Sequence, residues 1–315
     1  MMRCAVLLMG PTGAGKSDLA VQLVEKLPLE IISVDSALVY RGMDIGTAKP
    51  DRAIRVRIPH HLIDIRDPVM SYSVGEFLQD AATAMENIWA RGRQPLLVGG
   101  TMLYFHALTA GIAELPAADL VVRRTIDAQA SRQGWPALHR QLAQVDPVAA
   151  TRIHANDAQR IQRALEVFHV TGQTITGLQQ TRTSVLAGVE VIEFVVSPLQ
   201  RTELQTRLGQ RFMKMMAAGF LGEIRALFER GDLTAEHPAM RAVGYRQLWQ
   251  HLMGQYALDE AVERAIVATR QLAKRQLTWL RRRQSAQWVD SMHPQVARAI
   301  LGVLSEGKFA EWSQV

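Results

Sequence analysis

The stretch Gly10-Pro-Thr-Gly-Ala-Gly-Lys-Ser17 has the residue spacing of a phosphate-binding loop. It follows the apolar run Ala5–Met9, which is typical of a buried parallel strand, and a helical pattern then runs from Lys16 to Lys26. The glycines let consecutive backbone N–H groups point into one concavity, and the start of the helix adds partial positive charge there. The sequence therefore predicts a strand–loop–helix unit that binds a diphosphate or a triphosphate, with a chance glycine-rich turn as the alternative.

Two side chains of this loop add chemistry to the backbone cradle. The ammonium group of Lys16 can neutralise terminal phosphate oxygens, and the hydroxyl of Ser17 can ligate Mg²⁺. We therefore expect Mg²⁺ as the cofactor and Ser17 as its protein ligand. The predicted diphosphate-binding residues are Gly10, Pro11, Thr12, Gly13, Ala14, Gly15, Lys16 and Ser17.

The residues after the loop alternate between strand and helix patterns. Strands are predicted at Glu30–Asp35, His61–Ile65 and Pro95–Val98. A helix before the last of these strands is marked by Ser73 and Glu76, which have the spacing of a capping box. Strands that alternate with helices predict a parallel sheet covered by helices on both faces.

The pattern changes in residues 115–187, where only helix signals occur until a further strand at Val191–Val196. The predicted fold is α/β, with a parallel sheet core like that of P-loop NTPases, a helical insertion domain and C-terminal helices. We expect residues 1–114 and 188–315 to form the core and residues 115–187 to form the insertion. The helices predicted near the C-terminus are Leu199–Ala218, Leu221–Arg230, Tyr245–Leu252, Leu258–Arg283 and Pro294–Leu304.

The chain's excess positive charge is concentrated in one short segment. It has 36 Lys and Arg residues against 30 Asp and Glu residues, a formal net charge of +6. Six basic side chains and no acidic one fall within Arg270–Arg283. A basic amphipathic helix can contact nucleic-acid phosphates or lie on an anionic membrane surface. Its apolar positions lack the large aromatic stripe that favours membrane insertion, so we prefer phosphate contact and expect no membrane partner.

The overall composition is that of a globular protein, with 48% hydrophobic and 21% charged residues. This excludes collagen-like and disordered chains. The single cysteine, Cys4, excludes an intramolecular disulfide framework and favours a reducing compartment. No window approaches the roughly 18 apolar residues of a membrane span. We therefore expect a cytoplasmic protein, and we expect it to be a monomer.

Two predicted strands end in residues that can carry chemistry. The strand at Pro95 runs into Gly-Gly-Thr101, so the Mg²⁺-binding carboxylate expected there in an ATPase or kinase is missing. The strand at Glu30 ends instead at Asp35. Because the carboxyl ends of parallel strands face one crevice, Asp35 and Thr101 should lie near the bound phosphates. Asp35 can bind metal, act as a general base or simply cap a turn. A small-molecule kinase and a nucleotide-regulated RNA-binding module remain alternatives at this point.

Seven motifs occur in the same order in one known family, and together they run through nearly the whole chain. They are Gly10–Ser17, Ser33–Pro50 (SVDSALVYRGMDIGTAKP), His60–Asp64 (HHLID), Gly99–Tyr104 (GGTMLY), Asp157–Arg163 (DAQRIQR), Arg241–Arg246 (RAVGYR) and Lys274–Trp279 (KRQLTW). The chain resembles the tRNA dimethylallyltransferases, also called tRNA isopentenyltransferases. The long motif around Asp35 is far more specific than the phosphate loop.

The resemblance implies a reaction and assigns roles to residues. A dimethylallyl group moves from dimethylallyl diphosphate to the N6 amine of the adenosine on the 3′ side of the tRNA anticodon, position 37. The resemblance implies Asp35 as general base, Thr101 beside the reacting amine or the diphosphate, and Lys16 and Arg211 on the diphosphate. Without the resemblance, Arg211 fits a solvated helix face equally well, because Arg207 lies one turn away.

The resemblance also implies a set of residues that contact tRNA. They are Asp35, Ser36, Ala37, Leu38, Thr101, Arg123, Gln159, Arg160, Ile161, Gln162, Arg163, Arg241, Ala242, Val243, Gly244, Tyr245, Arg246, Lys274, Arg275, Gln276, Thr278 and Trp279. Arg160 and Arg163 share a helix face, which alone is typical of solvated arginines. Tyr245 can stack on an extruded base or be a half-buried helix start.

The nearest alternative acceptor is a free nucleotide, as in the related adenylate isopentenyltransferases. The helical insertion and the basic helix favour a macromolecular acceptor instead. The target base is stacked within the anticodon loop, so it must be turned out to reach a recessed site. The sequence therefore predicts a tRNA-modifying prenyltransferase.

Overall fold

The computed structural model describes residues 3–113, 115–180 and 183–306. The strands are β1 (Cys4–Met9), β2 (Leu29–Val34), β3 (His60–His61), β4 (Gln94–Gly99), β5 (Glu190–Ser197) and β6 (Gln287–Asp290). Within the described residues they form one six-stranded sheet in the order β3-β2-β4-β1-β5-β6. Every neighbouring pair is parallel, which confirms the predicted α/β fold.

Strand β1 lies inside the sheet because its residues are apolar on both faces. All of its residues are buried, and it pairs with β4 on one side and β5 on the other. Burying each large aliphatic side chain contributes about 1.5–3 kcal/mol. At the end of β1 the chain passes so close to β5 that a Cβ on Gly10 would lie 2.2 Å from the carbonyl oxygen of Val196. Only glycine fits where the phosphate loop leaves the sheet.

The helices alternate with the strands in the first part of the chain and follow one another in the rest. The helices before residue 115 are α1 (Lys16–Val24), α2 (Arg52–Arg57), α3 (Val74–Ala90) and α4 (Met102–Ala110). The next helices are α5 (Leu120–Gln133), α6 (Trp135–Val145), α7 (Pro147–Arg152), α8 (Ala158–Thr171) and α9 (Ile175–Leu178). After β5 come α10 (Arg201–Ala217), α11 (Phe220–Glu229), a 3₁₀ turn (Pro238–Arg241), α12 (Tyr245–Leu252), α13 (Leu258–Leu280) and α14 (Val296–Glu306).

The capping box predicted at the start of α3 is confirmed. The Ser73 hydroxyl accepts from the Glu76 backbone N–H at 3.2 Å, and the Glu76 carboxylate accepts from the Ser73 N–H at 2.8 Å. Such a cap stabilises a helix by about 1 kcal/mol. The apolar face of α3, including Phe77 and Ile88, is buried as its periodicity predicted.

The predicted third strand, His61–Ile65, is wrong in its extent. β3 contains only His60–His61, and the backbone then turns through positive φ at Leu62 (64°) and Asp64 (58°). The Asp64 carboxylate binds the buried ammonium of Lys49 and the guanidinium of Arg55. This ion-pair cluster turns the segment away from the sheet. The short edge strand β6 was not predicted, because its four residues are only half-buried or exposed.

The chain divides into two compact units, Met1–His106 with Gly188–Val315 and Ala107–Ala187. The division therefore falls within α4 rather than at the predicted 114/115 boundary. The second unit has its own apolar core, to which Ile126, Leu138, Leu142 and Leu165 contribute. In the described part of the chain, no helix has the length and apolarity needed to cross a membrane.

Within the first unit, the segment after β2 is packed against the C-terminal helices. Val39 and Met43 are fully buried in one cluster with Phe220 of α11 and Leu248 of α12. The residues that follow Asp35 therefore take their position from helices about 200 positions later in the chain.

Candidate active site

The phosphate loop has the geometry that its sequence predicted. Gly13 and Gly15 adopt positive φ angles of 77° and 83°, which only glycine adopts readily, and α1 begins at Lys16. The loop lines a cavity of about 340 Å³ together with Ser17 and Asp18. Backbone N–H groups at a helix start, facing a cavity, form a preorganised anion site.

Lys16 is poised to respond to an anion in this cavity. Its Nζ donates to the carbonyl oxygen of Pro11 at 2.7 Å. Burial, together with the nearby charge of Arg211, lowers the pKa of Lys16 from 10.5 to about 7, and Asp35 opposes part of that shift. A bound diphosphate would favour the protonated ammonium and reverse the shift.

Arg211 of α10 points at the same loop rather than into solvent. Its Nη1 donates to the Thr12 hydroxyl at 3.3 Å, and its Nη2 to the Thr47 carbonyl oxygen at 3.5 Å. Burial lowers the pKa of Arg211 below its usual value, which two carboxylates partly oppose. Arg207, one turn earlier on the same face, also lines the phosphate cavity, although the sequence did not assign it there. The spacing of four residues was the available signal.

Asp35 and Thr101 lie side by side at the ends of β2 and β4. The Oδ1 of Asp35 accepts the backbone N–H groups of Ala37 at 2.8 Å and Leu38 at 3.3 Å, so this carboxylate does cap a turn. The Thr101 hydroxyl accepts the Ser36 backbone N–H at 3.0 Å. Two neighbouring strand ends thus present a carboxylate and a hydroxyl to one crevice, as the α/β arrangement predicted.

A second, larger cavity of about 530 Å³ adjoins the phosphate cavity. Its lining is more apolar and includes Met215, Leu272 and Trp279. The residues that line both cavities are Thr12, Asp35, Thr47, Gly100, Arg211 and Gln276. The crevice therefore has a chamber lined by the phosphate loop and a mixed chamber, and the two meet at Asp35.

Helix α13 carries the first part of the basic segment past the larger chamber and ends at Leu280, before Arg281–Arg283. Arg275 and Trp279 line that chamber, whereas Lys274 and Thr278 are exposed on the helix. Arg283, just beyond α13, is paired with Glu193 at 2.7 Å and adds little free charge. Gln276, predicted as a tRNA contact, is only 8% exposed.

The 241–246 motif divides between surface and core. Arg241, Ala242 and Val243 line the larger chamber, Gly244 is buried, and Arg246 is exposed. Tyr245 is fully buried, and its hydroxyl donates to Glu223. It begins α12, as the helix-start alternative expected, and it also contributes to the lining of the larger chamber, so its stacking on an extruded base stays a prediction. Arg241 is paired with Glu236 at 2.7 Å on the surface.

In the second unit, Arg123 and Arg163 converge on one buried carboxylate, Glu166. Arg123 donates to it through Nε at 2.8 Å, and Arg163 through Nη1 at 2.6 Å. Burial alone would raise the pKa of Glu166, but these hydrogen bonds and the Asp119 backbone N–H hold it below its usual value. Both arginines thus serve the fold of this unit, and their contact with tRNA stays a prediction.

The other predicted contacts of this unit lie around the same helix, α8. Gln159 and Arg160 are exposed, and Gln162 is half-buried, with its amide donating to Asp127 at 2.6 Å. Ile161 is fully buried in the core of the unit, where its side chain packs against other apolar residues, and its contact with tRNA stays a prediction.

One residue that the sequence did not single out holds the segment after Asp35. The carboxylate of Glu223, on α11, accepts the backbone N–H groups of Asp44 at 2.8 Å, Ile45 at 2.6 Å and Gly46 at 3.1 Å. The same carboxylate accepts from the Tyr245 hydroxyl. No local pattern could reveal this contact, because the two segments are almost 180 positions apart in the chain.

A sequence model of the family described as IPP transferase matches residues 38–283, which include most of this crevice. The chain belongs to the IPP transferase family. It is therefore a prenyltransferase, and the kinase and RNA-binding-module alternatives are set aside. The phosphate loop lies outside the matched residues, so its assignment depends on its own geometry and on the solved structures.

Three solved structures from the family resemble this chain over nearly its whole length. A tRNA isopentenylpyrophosphate transferase from Bacillus halodurans is 34% identical, covering 99% of this chain and 98% of that one, with a TM-score of 0.71. A tRNA Δ2-isopentenylpyrophosphate transferase from Staphylococcus epidermidis is 30% identical over 96% and 99%, with a TM-score of 0.68. A eukaryotic dimethylallyltransferase acting on tRNA is 25% identical over 98% and 80%, with a TM-score of 0.82.

Proposed function

We propose that this chain transfers a dimethylallyl group from dimethylallyl diphosphate to the N6 amine of the adenosine 3′ to the anticodon of tRNA. The family and its solved relatives, which are named for action on tRNA, support a tRNA acceptor. The single observation that most directly supports the proposal is that the phosphate chamber and the larger chamber meet at Asp35. One chamber suits a diphosphate and the other suits a base.

The phosphate chamber supplies the electrostatic part of catalysis. Breaking the allylic C–O bond leaves negative charge on the diphosphate. The loop N–H groups, Lys16 and Arg211 converge on the place where that charge would develop. Fixed donors aimed at developing charge contribute roughly 10²–10³ in rate for each group.

Asp35 supplies the proton acceptor. The exocyclic amine of adenine is a poor nucleophile, because its lone pair is delocalised into the ring. A base must therefore take a proton as the new C–N bond forms. Asp35 lines both chambers, and within the described residues its hydrogen bonds to backbone N–H groups all fall on Oδ1. Thr101, which is held beside Ser36, orients the amine from the other side.

Mg²⁺ fits the phosphate chamber through oxygen ligands. Ser17 is exposed to that chamber, and Asp18 lies beside it. Among the described residues there is no group of three or more His, Cys, Asp or Glu that could bind a metal by itself. Mg²⁺ commonly combines few protein ligands with phosphate oxygens and water. When bound, it would supply charge neutralisation to the diphosphate, with Ser17 as the protein ligand.

The larger chamber and α13 form the acceptor side. Its volume of about 530 Å³ can admit an extruded base. Arg275, Lys274 and Arg246 would contact backbone phosphates, and the exposed residues of α8, Gln159 and Arg160, would contribute from the second unit. We further propose a monomer in the cytoplasm, because one chain lines both chambers and tRNA is the acceptor.

The direct test is to incubate the protein with labelled dimethylallyl diphosphate, Mg²⁺ and unmodified tRNA. After nuclease digestion we expect the label on the adenosine next to the anticodon. A tRNA with guanosine at that position is the matched control and should take up no label. Equal labelling of free AMP and tRNA would contradict the macromolecular acceptor.

A further inference from the structure

One buried amide joins the two chambers. The side chain of Gln276, on α13, accepts the backbone N–H of Thr12 through Oε1 at 2.9 Å. Its Nε2 donates to the carbonyl oxygen of Gly100 at 2.8 Å. A single side chain therefore spans the loops that follow β1 and β4.

The fit around this amide is close. A Cβ on Gly100 would lie 2.6 Å from the Gln276 Nε2, so only glycine lets the amide reach that carbonyl. Gln276 lines both chambers and is 8% exposed. Both functions of its amide are used, one as donor and one as acceptor, which fixes its orientation.

The two backbone groups that Gln276 bonds lie in loops with different proposed roles in the reaction. Thr12 lies in the phosphate loop, and its hydroxyl also accepts from Arg211. Gly100 immediately precedes Thr101, which is bonded to the segment of Asp35. On α13, Leu272, Arg275 and Trp279 lie within one turn of Gln276 and also line the larger chamber. The amide therefore links α13, which faces the proposed tRNA site, to the loop that is proposed to bind dimethylallyl diphosphate.

We propose that Gln276 is a positioning residue that braces the phosphate loop and the Gly100–Thr101 turn at a fixed separation around Asp35. This inference depends on the proposed function, because it takes the loop to be the diphosphate site. The brace orders the loop before the ligand arrives, so less conformational entropy is lost on binding. It replaces the prediction that Gln276 contacts tRNA directly.

The test measures two affinities of the full-length protein separately. Inorganic diphosphate with Mg²⁺ is titrated by calorimetry in the absence of RNA, and an anticodon stem-loop RNA is titrated without diphosphate. For Gln276→Met, which keeps the length and removes both hydrogen bonds, we expect diphosphate affinity about tenfold weaker, equivalent to about 1.4 kcal/mol. The affinity for the RNA should stay within twofold of wild type.

A matched control is available on the same helix. Gln271 is exposed on α13, so Gln271→Met makes the same chemical change away from the brace. It should leave both affinities unchanged. Gln276→Glu is the second variant, because it retains an acceptor for Thr12 but offers no N–H to Gly100 and adds negative charge. Its diphosphate affinity should fall at least as far as that of Gln276→Met.

The outcomes separate this inference from the proposed function. If the wild-type protein does not bind diphosphate, the proposed function fails. If wild type binds diphosphate and Gln276→Met binds it equally well or more tightly, only the brace is refuted. If Gln276→Met lowers only the affinity for RNA, the brace is refuted and the earlier prediction of a direct tRNA contact is supported. Steady-state kinetics should agree, with a raised KM for dimethylallyl diphosphate and an unchanged KM for tRNA.

Discussion

Two carboxylates lie among cationic side chains in this molecule, and they are used in opposite ways. Glu166 is fully buried and hydrogen-bonded by two arginines, so its charge is neutralised within the fold. Asp35 lies near Lys16 and Arg211, but both of those cations bond to neutral oxygens. Their pKa values are lowered by burial. Ion pairs whose charges neutralise one another within the protein contribute to the fold. Cations that are removed from water without a full counter-charge can instead bind an anionic ligand.

The largest expected effect is a loss of reaction rate at Asp35, because only this carboxylate is proposed to accept a proton. Asp35→Asn keeps an oxygen for the turn that Ala37 and Leu38 complete, but the amide cannot accept a proton. We expect single-turnover prenylation to slow about a thousandfold, within the 10²–10⁴ range of general-base removal. The thermal midpoint should stay within a few degrees of wild type.

Asp51→Asn is the control for this change, because Asp51 also caps a backbone N–H, that of Ile54, but lies immediately before α2, away from the crevice. It should leave the rate unchanged. An Asp35→Asn protein that retains more than a tenth of the wild-type rate would exclude Asp35 as the base.

The reverse result is expected at Glu166. Glu166→Gln leaves two arginines facing a neutral amide, so the free energy of unfolding should fall by about 3 kcal/mol in urea denaturation. Because its pKa is lowered by folding, Glu166 stabilises the protein above its ordinary pKa of 4.5, and this contribution is lost as pH falls through the lowered value. The rate at low temperature should not change, and a large loss of rate in a fully folded variant would assign these residues to function.

Arg211 provides the third test. Arg211→Met removes a partly buried charge that two nearby carboxylates compensate only in part, so kcat/KM for the prenyl diphosphate should fall about a hundredfold while stability is unchanged or rises. Arg123→Met, the matched change in the neutralised cluster, should lower stability and spare catalysis. If Arg211→Met and Arg123→Met lower stability by similar amounts, the charges around Asp35 and around Glu166 do not differ in the way described.

The smallest effect is a pH dependence that originates in Lys16. With a pKa of about 7, free Lys16 loses its proton above neutrality, whereas bound diphosphate requires the ammonium form. Binding should therefore take up a proton, and affinity should fall by up to tenfold for each pH unit above 7. Calorimetry in buffers of different ionisation enthalpy measures the uptake. Lys16→Arg remains charged and should bind without it, and proton release by wild type would contradict the assignment.

The sequence alone predicted the parts of the site that follow from strand order. The phosphate loop, Asp35 and Thr101 each follow a buried strand, and parallel strands bring their carboxyl ends to one edge. The C-terminal helices were also predictable, because their apolar periodicity is strong. Helix α13, for example, begins at the expected Leu258.

The rest depended on contacts between distant segments. Glu223 and Gln276 bond to backbone groups, which leave no trace in side-chain spacing. Arg163 has the spacing of a solvated arginine, and only the burial of Glu166 shows that it is part of a structural cluster. Tyr245 and Ile161 fell within motifs that the resemblance assigned to tRNA, yet packing buried both.

The central place of β1 in the sheet has a consequence for how the protein is made. One edge of β1 pairs with β4. Its other edge pairs with β5, which begins at Glu190 and is therefore synthesised much later. A ribosome that adds 5–20 residues per second needs roughly ten to forty seconds to cover that interval. Until then the growing chain carries an open, apolar strand edge, the kind of surface that chaperones cover. The lining of the larger chamber is completed later still, when α13 delivers Arg275, Gln276 and Trp279.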